Sequence, residues 1–172
     1  MNINWQNTIR VRSPIDQVYG YLSQFPRHVE WAQTLERMEQ VGAANANGVG
    51  AIYLTHERQA FQNDRAPNAP VRKMAMPAQT VCEVTALEPN QRIAWKSSMR
   101  GMSSVYADWE FCLEPDGANA TRVTQRSAFH FGPVPEGMGR LLKMDQKAVS
   151  QFDASLNNIK LILEQNSQNE KG

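Results

Sequence analysis

The chain has 172 residues, with 18 Lys plus Arg against 17 Asp plus Glu, a length that suits one domain around a single sizeable core. The near-neutral balance argues against nucleic acid or an anionic membrane as partner, because both call for a basic surface. No apolar run reaches the ~18 residues of a membrane span. No CxxC pair points to zinc and no Gly-rich phosphate loop to a nucleotide, so no metal and no cofactor is expected.

The first strand is predicted over 3–12, where Ile3, Trp5, Ile9 and Val11 keep a period of two around polar Asn7. Ser13 is the expected cap of a first helix reaching about Gln24, with Pro14 in its first turn, Asp16 on its dipole, and Ile15, Val18, Tyr19 and Leu22 on one face. Pro26 stops that helix, and residues 27–32 form a second short helical piece carrying Trp31. Strands at 35–41 and 49–58 follow, the second with Ile52 and Leu54 on one face and Ala51 and Tyr53 on the other.

Residues 60–77 break the pattern with Pro67, Pro70 and Pro77 among Arg65, Arg72, Lys73, Met74 and Met76. A connection of this length is either functional, as a gate over a site, or a tolerated surface insertion. Four strands then come in succession at 79–88, 91–99, 103–114 and 120–131, turned by Pro89-Asn90 and Pro115-Asp116-Gly117. Ile93 and Trp95, Trp109, Phe111 and Leu113, and Val123, Gln125, Ser127, Phe129 and Phe131 mark inward faces. Arg122, Thr124, Arg126 and His130 take the outer one.

The last segment, 136–165, places Met138, Leu142, Val149, Phe152, Leu156, Ile159 and Leu163 on one helical stripe. A helix of that length spans about 43 Å and requires a broad partner, which the strands supply as a sheet. Asp145 stands near the middle of the stripe. It is solvated near the helix start, paired with Gln125 or Arg58, or turned to a ligand as an acid–base group. Residues 166–172 are expected to be a disordered tail. No repeat and no second domain is visible.

Ile9-Arg-Val-Arg-Ser-Pro-Ile-Asp-Gln-Val18, Glu30-Trp31, Gly48-Val-Gly50, Glu83-Val84 through Leu87-Glu-Pro89, Ile93-Ala-Trp95, Trp109-Glu-Phe-Cys-Leu-Glu-Pro115 and Thr121-Arg-Val-Thr124 occur in this order. Together they resemble the START-like (SRPBCC) superfamily, most closely its polyketide cyclase/dehydrase-like branch, over nearly all of 1–165 except 60–77. The resemblance implies an α+β helix-grip fold: a curved antiparallel sheet of about seven strands around a long C-terminal helix, with two short helices after strand one. It also implies a pocket between sheet and helix for a hydrophobic or amphipathic small molecule of polyketide, lipid or aromatic type. The family's motif holds no shared catalytic residue, so none is carried over.

Trp31, Tyr53, Trp95, Trp109, Gln125, Phe129, Leu142 and Phe152 are the expected ligand-contacting residues, because rings plus a few orienting polar groups are the usual lining of small-molecule sites. Asp145 is the catalytic candidate should the chain be a cyclase or dehydratase. A filled pocket, with 60–77 as a docking surface, is the third expectation. His28, His56 and His130 fall on different elements and form no triad. Cys82 and Cys112 are expected as reduced thiols in a soluble cytoplasmic protein, since the N-terminus lacks a basic head and apolar run. A homodimer is left open.

Overall fold

Alternation of inward and outward side chains drives most of this chain into antiparallel ladders. The structure, a computed structural model, describes residues 2–58, 77–130 and 144–169, with side chains for 4–57, 79–101, 106–130 and 152–165. The strands are β1 (Asn2–Val11), β2 (Leu35–Gly42), β3 (Ile52–Arg58), β4 (Pro77–Glu88), β5 (Arg92–Met99), β6 (Met102–Pro115) and β7 (Thr121–His130). They form one curved sheet in the order β1-β7-β6-β5-β4-β3-β2. Asn90 at φ 59° and Gly117 at φ 92° turn two of the hairpins, as their tolerance of the left-handed region allows.

Helix α1 (Ile15–Leu22) and a 3-10 helix (Phe25–Glu30) join β1 to β2. Pro14, not Ser13, is the N-cap of α1. Ser13 lies one residue too early. It is buried, its hydroxyl donates to Gln17 Oε1 at 2.9 Å, and its carbonyl accepts from Thr121 Oγ1 at 2.8 Å. The residue therefore ties the helix start to β7 rather than capping α1.

Helix α2 (Met144–Asn169) lies along β1. It passes Gln165, where neither Gly nor Pro stops it, and runs to Asn169. Leu156, Ile159 and Leu163 are buried on one face. Positions on both sides of that face are pinned by hydrogen bonds. Asn7 Nδ2 donates to Asp153 Oδ1 at 2.6 Å, Asn158 Nδ2 to the Trp31 carbonyl at 3.1 Å, and Lys160 Nζ to the Arg10 carbonyl at 2.6 Å. Glu164 accepts from the Arg12 N–H at 2.9 Å and from Lys160 at 2.7 Å, and these donors hold its carboxyl down at about 2 despite burial.

Between sheet and helices sits one core, with Val11, Val18, Leu22, Phe25, Val84, Ile93, Phe111, Val123, Leu156 and Ile159 fully buried. On the outer face, Arg92 and Arg126 reach Glu110, and Arg122 and Arg10 reach Asp116. Cys82 is buried on the inner face, whereas Cys112 stands opposite outward Arg92. The two thiols are free, and the sheet separates them. No helix among the described residues is long and apolar enough to cross a membrane.

Candidate functional site

Strand register assembles the inner face in rows. One runs Val84, Trp95, Trp109, Ser127 and Trp5 across β4, β5, β6, β7 and β1. The adjacent row runs Tyr53, Cys82, Ser97, Ala107 and Phe129, so three small side chains lie between two rings. Strand alternation puts these residues on one side, because positions two apart share a face.

The rings form a continuous series. Tyr53 stacks on Phe25 at 5.2 Å between centroids, and Phe25 meets the edge of Trp95 at 5.7 Å. Trp95 stacks on Trp109 at 5.9 Å with 5° between planes. Trp109 meets Phe129 at 5.3 Å and Phe152 of α2 at 5.1 Å, both near-perpendicular. Trp31, the C-cap of the 3-10 helix, joins through Phe111 at 5.8 Å. Such offset-stacked and edge arrangements are the favoured geometries of aromatic quadrupoles.

Tyr53, Trp95, Trp109, Phe129 and Phe152 are thus brought together, with Trp31 and Gln125 beside them. Leu142 lies outside the described residues, as do 60–76 of the gate or docking loop expected over 60–77, whose last residue, Pro77, begins β4. Asp145 belongs to α2, but its side chain, like that of Arg58, is outside the described set. Phe25 was missed. It links Tyr53 to Trp95, yet it lies in a six-residue 3-10 piece too short to show a period. Trp5, at 5.0 Å from Phe152, was read only as a strand residue.

Polar atoms interrupt this apolar surface. Trp109 Nε1 donates to Ser97 Oγ at 2.8 Å. Trp31 Nε1, Gln125 Oε1 and Ser127 Oγ are buried without a hydrogen-bond partner among the described residues. Gln125 is opposite Phe111 and Ser127 opposite Trp109, so each adjoins a ring of the series. An unmet buried donor or acceptor costs on the order of 1–3 kcal/mol, and a ligand or water with matching groups would remove that cost.

The histidines do not form a site. His130 stacks on Tyr106 and faces Asp108 at 3.0 Å on the outer surface, and His56 is half-buried beside Gln79. His28 is 3% exposed and packed on Phe25, Trp31 and Trp95. Its Nε2 lies 2.9 Å from the Leu22 carbonyl, which can only accept, so the proton is on Nε2.

Burial pushes His28 down to about 4 against its bond to Leu22, so the folded chain holds it neutral while the unfolded chain protonates it below about 6.5. Its contribution is fully present above pH 6.5 and falls as pH drops toward 4, by about 3 kcal/mol. In urea unfolding across that window, His28→Phe is expected to show a shallower decline than the native chain. Equal slopes would exclude His28 as the source.

A curved antiparallel sheet grasping a C-terminal helix across a ring-lined face defines a START-like, helix-grip protein. The family model described as "Polyketide cyclase / dehydrase and lipid transport" matches residues 3–164, and the chain belongs to that family. Among solved structures, it is similar to the Zhui aromatase/cyclase from a Streptomyces species, at TM-score 0.70 and 15% identity, covering 95% of this chain and 94% of that one. A START superfamily protein from Mycobacterium smegmatis gives TM-score 0.67 and 12% identity over 94% and 97%. A norcoclaurine synthase point mutant from Thalictrum gives 0.63 and 13% over 97% of each. At these identities the likeness establishes the fold. No curated protein matches the chain in sequence.

Proposed function

We propose that the chain binds a hydrophobic or amphipathic small molecule, of polyketide, lipid or aromatic type, between the sheet and α2. The observation that carries this is the ring series from Tyr53 to Phe152, with Trp31 Nε1, Gln125 Oε1 and Ser127 Oγ buried beside it and unpartnered among the described residues. Flat apolar bodies stack on such rings, and a few polar atoms set their orientation. The family description and the aromatase/cyclase likeness support the same ligand class. A naphthalene-based fluorescent probe is expected to bind saturably at one per chain while near-ultraviolet circular dichroism stays native. Absence of saturable binding with that signal intact would mean a filled core and leave the interaction-module alternative.

The second reading is cyclase or dehydratase chemistry on that ligand, with Asp145 as proton donor or acceptor. Asp145 lies in α2 seven residues before Phe152, whose ring reaches Trp109 and Phe129. Asp145→Asn is expected to reduce turnover or binding of the true ligand with little change in melting temperature. If the residue instead serves a buried ion pair, the same change costs about 3 kcal/mol or more. If neither quantity moves, Asp145 has no role in the site.

A further inference from the structure

Beyond the rings, the inner face ends in a carboxyl group. Glu57 follows buried Tyr53 and Thr55 on the same side of β3. Thr80 Oγ1, across the ladder on β4, donates to Glu57 Oε1 at 2.8 Å, and Thr55 Oγ1 lies 3.5 Å from the same oxygen. The Thr55 and Thr80 hydroxyls are also hydrogen-bonded to each other. Thr55 Oγ1 also lies 3.2 Å from the Thr80 carbonyl. Each hydroxyl has one proton and an ionised carboxyl has none, so Glu57 is the terminal acceptor whichever hydroxyl donates to the other.

Among the described residues, no Lys, Arg or His forms an ion pair with Glu57, and no hydrogen bond reaches its Oε2. Burial raises the carboxyl's pKa against the two hydroxyls. Its charge in turn bears on the Cys82 thiol, which burial pushes up to about 12. Cys82 stands opposite Tyr53 and begins the strip of small side chains that leads to Ala107 and Phe129. The carboxyl is therefore at the end of the surface on which a flat ligand would lie.

Resting on the ligand-binding proposal above, we infer that Glu57 is a specificity-determining residue: it accepts the polar head of the ligand and selects amine or alcohol heads over carboxylate heads. An ionised carboxylate only accepts hydrogen bonds and repels a second anion. Glu57 is half-buried, and at such a position both effects exceed their value in water. An ammonium or hydroxyl would supply Oε2 with the donor that the described residues give only to Oε1.

The test uses three probes sharing one ring system, 1-naphthylmethylamine, 1-naphthylmethanol and 1-naphthoate, titrated into the full chain at pH 7.5. The amine is expected to bind about tenfold or more tighter than naphthoate, as a charge-assisted hydrogen bond implies, with the alcohol between them. In Glu57→Gln the spread should collapse to about threefold or less. The melting temperature should hold or rise, because a carboxyl raised by burial loses folding free energy as pH climbs through its pKa. Glu57→Asp, which keeps the charge, should retain the order at reduced contrast.

An amine-to-naphthoate ratio unchanged in Glu57→Gln overturns the inference. So does a Gln variant that unfolds or melts lower, since Glu57 would then serve the fold or an internal ion pair. Equal binding of all three probes to the native chain removes the role of Glu57 while leaving ligand binding intact. Binding of none removes both.

Discussion

Phe111→Ala is expected to destabilise the chain by roughly 3–5 kcal/mol, the usual result of emptying a fully buried aromatic position. Phe111 is 0% exposed on β6 and touches Trp95 at 5.5 Å and Trp31 at 5.8 Å between centroids. It faces Ile93 on β5 and Gln125 on β7 in register. Neighbouring strands are tied by backbone ladders on both sides, so they cannot collapse into the space. Against a typical domain stability of about 5–15 kcal/mol, a large share of molecules would unfold on mild heating. Urea unfolding followed by far-ultraviolet circular dichroism measures the loss. A cost under about 1.5 kcal/mol would mean that the surroundings relax, contrary to a rigid core beneath the rings.

Trp109→Ala should act mainly on binding. Trp109 is only partly buried and connects four partners: Trp95, Phe129, Phe152 and the Ser97 hydroxyl. Truncation removes the central ring of the series and separates its Tyr53 end from its Phe152 end. A buried aromatic anchor contributes about 1.4–2.8 kcal/mol to binding, so probe affinity should fall about 10- to 100-fold. Stability should fall less than for Phe111→Ala, and Trp109→Phe should restore most of the affinity. Probe titration decides between outcomes. Unaltered affinity in Trp109→Ala would move the ligand away from β5 and β6.

What was legible in the sequence follows from which signals are local. Strand alternation is local, so the inward assignment of Trp95, Trp109, Gln125 and Ser127 could be read directly, and the turns at Asn90 and Gly117 declared themselves by residue type. The helical stripe was equally plain in Leu156, Ile159 and Leu163, and it exposed Asp145 as an exception. Polar pairing is not local. Asn7 stood out as an intrusion in an apolar strand, but its partner Asp153 is 146 residues away and carries no mark.

Glu57 was overlooked because His56 and Arg58 flank it, and three polar residues at a strand end look like a solvated tip. Only the parity with Tyr53 and Thr55 betrays an inward direction. His28 is the opposite case. A polar residue on a short connecting helix suggests a rim, but Phe25, Trp31 and Trp95 enclose it once the 3-10 turn folds back on β2.

The central claim is that a flat apolar ligand lies on the ring series and meets the buried polar atoms beside it. Nitrogen–proton correlation spectra report this directly, since the chain holds four tryptophans and each contributes one indole N–H signal. On titration with a naphthalene probe, the account predicts saturating shifts of the Trp31, Trp95 and Trp109 indole signals at one probe per chain, with Trp31 Nε1 moving most if it gains a hydrogen-bond partner. Saturable probe binding that leaves these three signals in place would contradict it.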